Sequence, residues 1–368
     1  MGNPVGHDTM RVFIDFGHPA HVHFYKNFIN NLKRDGHAVQ LTARNKEVTH
    51  ALLQAYGFEY IDRGTLKKSM VDKALGMLSV DYTMYKIARQ FKPDILLGVH
   101  NPYIAHVAKA IGKPAVIFTD TERVGVASRL TFPFAEVIWT PSCFKDAIDP
   151  KKHVPFNGYK ELAYLHPNYF RPDPSVLDRA GIGREDKFIV VRFISWAASH
   201  DVNLHGIRNE GIAGFMSTLE HYGRVVITSE RPLPGDLEKN RLSIRPEDLH
   251  SLLYYAALYI GEGGTMATEA AILGTPAIHI ESTTGGAASG TFYGNYQELR
   301  DKYQLLYFYP DETTALRKAV EILENKEAKN EWQKKREKLI ADKLDVTGWM
   351  TDFIERYPDS FNKIRRDY

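Results

Sequence analysis

From Arg11 onward, short apolar runs alternate with stretches long enough for a helix, and that alternation leaves few folds open. Residues 12–16, 38–43, 58–61, 94–99, 115–119 and 136–140 read as strands, with helices expected at about 20–34, 47–56, 69–91 and 103–111. Such a β-α-β order implies a parallel, doubly wound sheet. Residues 165–186, with Pro167, Pro172, Pro174 and Gly181, break the pattern and read as a linker. A second alternation follows, with strands at 188–194, 224–228, 241–244, 258–260, 277–280 and 305–309. The charged helices 315–323 and 332–343 read as solvated outer faces. Near the end, Trp349, Met350, Phe353, Ile354 and Tyr357 fit one apolar helical face, expected to pack back on the first domain. The expected organisation is therefore a first domain 10–164, a linker 165–186, a second domain 187–345 and a crossover helix within 346–368. Open α/β sheets take ligands at the carboxyl ends of their strands, so an interdomain cleft is the expected site.

The totals narrow the function classes. A chain of 368 residues exceeds one typical core, and 43% hydrophobic with 25% charged content is that of a soluble globular protein. With 47 basic and 45 acidic residues the net charge is +2, which argues against a dedicated nucleic-acid binder. The single cysteine, Cys143, excludes internal disulfides and Cys-based zinc sites and suits a reducing cytoplasm. Neither a spanning apolar run nor a signal-peptide core is legible. Residues 1–9 are patternless and read as a disordered lead-in or an added leader, with Met10 as the natural start.

The most informative stretch is Gly261-Glu262-Gly263-Gly264-Thr265-Met266-Ala267-Thr268-Glu269, between an apolar strand and the stop at Gly274 and Pro276. Paired glycines let a ligand approach the backbone, and Thr265 is expected to cap a helix whose free N–H groups attract an anion. Glu269 lies four residues on, about 6 Å along the axis. A phosphate at the helix start would thus leave that carboxylate near a ribose. A tight turn with an ordinary helix-face glutamate is the plainer alternative.

Other strand-end loops add candidates. Gly17-His18-Pro19-Ala20-His21-Val22-His23 lacks the Gly-x-Gly-x-x-Gly fingerprint of dinucleotide binders, which disfavours a nicotinamide oxidoreductase. His18 and His21 share a face at a helix start, where a neutral imidazole can act as general base or merely cap and pack. A zinc site from His18, His21 and His23 is a weaker alternative, so no metal is expected. Asp120-Thr121-Glu122-Arg123 offers two carboxylates for acid–base work or sugar binding, or simply a capped helix. In the second half, Arg192, Ser195, Ser199 and backbone donors of the loop running to His200 suit a phosphate site, Trp196 a stacking surface or a core position, and Glu230 the same ligand from the next strand end. Asn157-Gly158-Tyr159-Lys160-Glu161 reads as cleft lining or hinge. Residues 67–92 carry Lys67, Lys68, Lys73, Lys86, Arg89 and Lys92 around apolar positions. That pattern fits a core-facing helix with a basic outer face, or a peripheral contact with an anionic membrane.

Taken together, Gly17–Phe24, Asp120–Glu122, Trp196–Asp201 and Gly261–Pro276 resemble the DUF354 family of predicted glycosyltransferases, itself similar to UDP-N-acetylglucosamine 2-epimerases and other GT-B enzymes. The resemblance implies a GT-B fold of two Rossmann-like domains facing a cleft, with the donor nucleotide held mainly by the second. It places a diphosphate at Gly263, Gly264, Thr265 and Met266, ribose at Glu269, donor phosphates at 195–200, and acceptor or sugar near His18 or His21. Epimerases carry carboxylates in loops where this chain reads Gly98-Val99-His100-Asn101 and Asp120-Thr121-Glu122-Arg123. That departure lowers epimerase chemistry and leaves the base open among His18, His21, Asp120 and Glu122. The expectation is a cytoplasmic, metal-independent glycosyltransferase of glycoconjugate assembly, working at the inner membrane face if residues 67–92 do touch lipid. It needs no cofactor beyond its nucleotide-sugar substrate, probed first as UDP-linked, and a glycan, lipid-linked or small-molecule acceptor. An epimerase or hydrolase, and a non-catalytic nucleotide-sugar binder, are the alternatives.

Overall fold

The computed structural model describes residues 9–64, 70–195, 204–207, 211–233 and 235–366, with backbone alone for 70–75. Chain contacts divide it into two units, Met1–Tyr164 with Leu344–Tyr368, and Leu165–Lys343. Trp196, Ser199, His200, Lys67, Lys68 and nearly all of the 1–9 lead-in lie outside the described residues.

In the first unit, β1 (Arg11–Phe16), β2 (Ala38–Ala43), β3 (Ile61–Asp62), β4 (Ile95–Val99), β5 (Ala115–Phe118), β6 (Val137–Pro141) and β7 (His153–Phe156) make one sheet. Its order is β3-β2-β1-β4-β5-β6-β7, and every pairing is parallel. The chain winds outward from β1, then returns to lay β4 on its other side. This doubly wound path puts the switch point between β1 and β4. Strands β4, β5 and β6 are buried throughout, as strands covered by helices on both faces must be.

Near the carboxyl terminus, the helix Val346–Glu355, followed by a last helix Asp359–Arg366, belongs to this unit. Val346, Met350, Phe353 and Ile354 are buried, and Trp349 stacks on Phe156 at 4.7 Å. Thr347 Oγ1 donates to the Ala163 carbonyl at 2.7 Å, and His37 Nε2 meets Glu355 Oε1 at 3.2 Å. The 157–161 segment seats this helix: Leu344 N–H donates to the Asn157 carbonyl at 2.9 Å, and Gly158 leaves room for Val346.

In the second unit, β8 (Phe188–Phe193), β10 (Arg224–Ser229), β11 (Leu258–Gly261), β12 (Ala277–Ile280) and β14 (Leu306–Tyr309) form a parallel sheet in the order β10-β8-β11-β12-β14. Its switch point lies between β8 and β11. Strands β9 (Leu204–His205) and β13 (Ser282–Thr283) pair antiparallel apart from it.

Several expectations are corrected. Residues 165–186 are not a bare linker: Val176, Leu177 and Ile182 are buried in the second unit, and Arg179 clamps Asp248 with bonds of 2.9 and 2.8 Å. Residues 241–244 make no strand and meet the sheet through a bridge from Arg241 to Ile227 and a bond of 2.9 Å from the Arg241 guanidinium to the Ser229 carbonyl. The helix Ala328–Asp342 is more than a solvated face. Its Trp332 is buried with Nε1 on the Leu305 carbonyl at 3.1 Å, and Gln333 and Arg336 donate to the carbonyls of Leu273 and Ile272 at 3.0 Å each. A cation at a helix carboxyl end is stabilising, so Arg336 braces the helix Gly264–Ile272 from behind.

Candidate functional site

At the first unit's switch point the helix Pro19–Arg34 opens directly after β1. His18 is its N-cap, with extended backbone and Nδ1 accepting the Ala20 N–H at 3.2 Å. Its Nε2 lies 3.8 Å from Glu47 Oε2. One turn on, His21 Nδ1 accepts the Gly17 N–H at 3.3 Å. Burial pushes the His21 pKa well below the usual imidazole range, and the charges of His18, Lys160, Lys46 and Arg63 push the same way. The ring is therefore neutral at pH 7. A neutral imidazole accepting on Nδ1 carries its proton on Nε2. In this tautomer His21 presents a donor, and service as a base requires the proton to move to Nδ1.

Beneath these rings lies a group that sequence reasoning missed. Asp15, fully buried, accepts from Thr42 Oγ1 at 2.7 Å, Arg63 Nε at 2.6 Å and Asn101 Nδ2 at 2.5 Å. Asn101 also caps the helix Pro102–Ile111 by accepting the Ile104 N–H at 3.2 Å. The Arg63 guanidinium lies 4.8 Å from the centre of the Tyr103 ring. Four strand ends are thus tied to one carboxylate. The available signal was a charge inside the apolar run Val12-Phe13-Ile14-Asp15-Phe16.

Asp120 pairs with Lys160 Nζ at 2.8 Å, and the same ammonium lies 3.5 Å from Glu161 Oε1. Since Lys160 also acts on His21, the structure gathers His18, His21 and Asp120 around one set of charges. Glu122 does not join them: it is 2% exposed, with Oε1 accepting the Lys145 N–H at 3.3 Å. His100 sits between Thr119 Oγ1 at 2.9 Å and Ser128 Oγ at 3.2 Å, and burial lowers its pKa to about 4. His23 Nδ1 lies 3.1 Å from the Tyr56 hydroxyl, and its ring packs 5.4 Å from that of Tyr164.

In the second unit the Gly-rich turn joins β11 to the helix Gly264–Ile272. Gly263, not Thr265, is the N-cap: at φ 86° it turns the chain where a side chain would be strained, and the helix is capped two residues earlier than expected. A Cβ on Gly264 would lie 1.4 Å from the Tyr296 hydroxyl oxygen, so only glycine fits there. The N–H groups of Gly264, Thr265 and Met266 form the first turn and have no acceptor within the helix. Arg192, on β8, lies opposite Gly261, with Nε 3.9 Å from the place a Gly263 Cβ would occupy.

Charged groups surround this turn. Glu230 pairs with Arg192 and accepts from Ser195 N–H at 3.2 Å and Ser195 Oγ at 3.1 Å. Glu262, fully buried, accepts from Ile194 N–H and Ile207 N–H, each at 2.8 Å, and so pins the loop after β8. Glu269 is 4% exposed, and its Oε1 lies 3.0 Å from His250 Nε2. The carboxylate expected at a ribose is thus already oriented by an imidazole that the sequence did not point to. Met266 Sδ accepts from Thr228 Oγ1 at 3.8 Å. Among the described residues, no three His, Cys, Asp or Glu side chains gather as a metal site.

This pairing of two doubly wound parallel sheets with a carboxyl-terminal helix returned to the first is the GT-B architecture. The family model described as "Protein of unknown function (DUF354)" matches residues 10–287, and the chain belongs to that family. It is similar to the uncharacterized protein MJ0665 of Methanocaldococcus jannaschii, 24% identical over 283 residues, which are 73% of this chain and 81% of that protein. Among solved structures, the UDP-GlcNAc 2-epimerase from Neisseria meningitidis bound to UDP-GlcNAc superposes with a TM-score of 0.63 at 13% identity, covering 94% of this chain and 99% of that one. The spinosyn forosaminyltransferase SpnP gives 0.63 at 14%, covering 98% and 100%. At such identities the likeness establishes the fold.

Proposed function

We propose that the protein is a metal-independent glycosyltransferase that moves a sugar from a nucleotide-sugar donor, UDP-linked in the first instance, to an acceptor hydroxyl. The observation that supports this most is the helix start at Gly264, standing at the second sheet's switch point with Arg192 beside it. In this reading the amides of Gly264, Thr265 and Met266, with Arg192 and Ser195, stabilise the departing diphosphate. Arg192 and Ser195 already hold the Glu230 carboxylate, so donor binding exchanges one anion for another. Glu269, oriented by His250, takes the ribose hydroxyls. Acceptor deprotonation falls to His21 in its Nδ1–H tautomer or to Asp120 released from Lys160, with His18 positioning the loop. Glu122 is too enclosed to reach a substrate. Trp196, Ser199 and His200 extend the donor loop in the same proposal.

The test is release of UDP from a panel of UDP-sugars, with and without candidate glycan and lipid-linked acceptors. Acceptor-dependent release supports the transferase. Release or epimerisation without any acceptor points instead to the epimerase or hydrolase. Saturable binding with no turnover under any condition leaves a nucleotide-sugar binder.

A further inference from the structure

Five large apolar side chains are exposed around one histidine of the first unit. Leu78 and Tyr82, on the helix Met70–Phe91, are 64% and 62% accessible. Val126 and Leu130, on the helix Gly125–Thr131, and Phe134 just beyond it are also exposed. His106 ties the two helices together. Its Nδ1 meets Asp81 Oδ2 at 3.0 Å, its Nε2 meets the Leu130 carbonyl at 2.9 Å, and its ring stands edge-on to Phe134 at 5.0 Å. Asp81 lies on the same turn as Leu78 and Tyr82, so His106 links the exposed side chains of the first helix to Leu130 and Phe134. Scattered apolar residues need no explanation, whereas a contiguous patch marks a place of contact.

The charges around the patch indicate what it touches. Positions 78, 82, 86 and 89 fall within about 80° of one another on a helix. Lys86 and Arg89 therefore continue the Leu78–Tyr82 stripe, with Lys86 Nζ 4.7 Å from the Tyr82 ring centre. Lys109, one turn beyond His106, and Arg129, beside Leu130, are exposed as well. Asp81 is engaged by His106, and the exposed Glu136 follows Phe134 by two residues. Lysine is depleted from the centres of protein–protein interfaces but common where apolar tips enter lipid and long cationic stems reach headgroups. No helix among the described residues is long and apolar enough to cross a membrane, so the contact is peripheral.

We propose that this face rests on an anionic lipid surface, with Leu78, Tyr82, Val126, Leu130 and Phe134 entering the headgroup boundary and Lys86, Arg89, Lys109 and Arg129 meeting the phosphates. The proposal is independent of the donor site. It is tested by co-sedimentation of the full chain with phosphatidylglycerol–phosphatidylcholine vesicles and with phosphatidylcholine alone. Wild type pellets with the anionic vesicles and several-fold less at high salt. The double variant Leu78→Ser/Val126→Ser loses at least about ten-fold in partitioning, and Lys86→Glu/Arg129→Glu loses it on anionic vesicles, with melting temperatures unchanged in both. Wild type left in the supernatant with every vesicle, or a Leu78→Ser/Val126→Ser variant that pellets equally, overturns the proposal. So does light scattering that shows a dimer split by the same double variant, because a second copy would then be what covers the face.

Discussion

The two switch points are built from opposite materials. In the first unit a buried carboxylate, Asp15, gathers Thr42, Arg63 and Asn101, and the loop above it is lined by imidazoles and ammonium groups. In the second, the turn itself is the working part: Gly263 and Gly264 clear the backbone, and Glu262 fixes the neighbouring loop. One site presents side chains that can move protons; the other presents amides that can receive charge without reorganising. In the proposed reading, the same topology serves acid–base work in one unit and anion binding in the other.

The largest effect expected from breaking this contrast is at Asp15. Asp15→Ala strands Arg63 as a buried unpaired charge and should cost about 3–5 kcal/mol, read as a drop in the denaturant midpoint. Glu262→Gln, its counterpart in loop-pinning, keeps the shape but weakens two charge-assisted bonds, at about 1–3 kcal/mol. If Asp15→Ala melts like wild type, the side-chain account of the first switch point is wrong.

His100 sharpens the comparison through pH. Its folded pKa of about 4 lies below the unfolded value, so the unfolded chain binds more protons between those limits. Stability from this residue is present above pH ~6.5 and is lost as pH falls toward 4. His100→Asn, an asparagine being tolerated at its φ of 44°, should flatten that part of the stability–pH curve. An unchanged slope would place the acid sensitivity elsewhere.

The smallest effect is the most discriminating for the turn. Because Gly263 occupies the cap, Thr265→Ala should change stability by less than about 0.5 kcal/mol, where loss of a true threonine cap costs about 1. A full cap-sized loss in thermal melts would restore Thr265 to the role its sequence suggests.

These contrasts track what the sequence made legible. Period and punctuation exposed β1, β2, β4, β5, β8, β11 and β12, because buried parallel strands are continuous apolar runs. Strand β7 escaped notice because Pro155 reads as a breaker, yet β7 lies at the sheet edge, where a missing donor is tolerated. The backbone-built turn was visible as glycines, although its cap lies two residues before the expected Thr265. The side-chain-built site was not: Asp15, Arg63 and Asn101 are far apart in sequence, and only the sheet order joins them. His250 and Tyr296 were hidden for the same reason, meeting Glu269 and Gly264 from other helices.

The central claim is tested most directly by amide hydrogen exchange with saturating UDP, with GDP and dTDP in parallel. The account predicts slowed exchange in the segment 263–268 and in the loop following β8, with the 17–21 loop unaffected by nucleotide alone. Protection confined to the first unit, or none at 263–268 from a nucleotide that demonstrably binds, would contradict it.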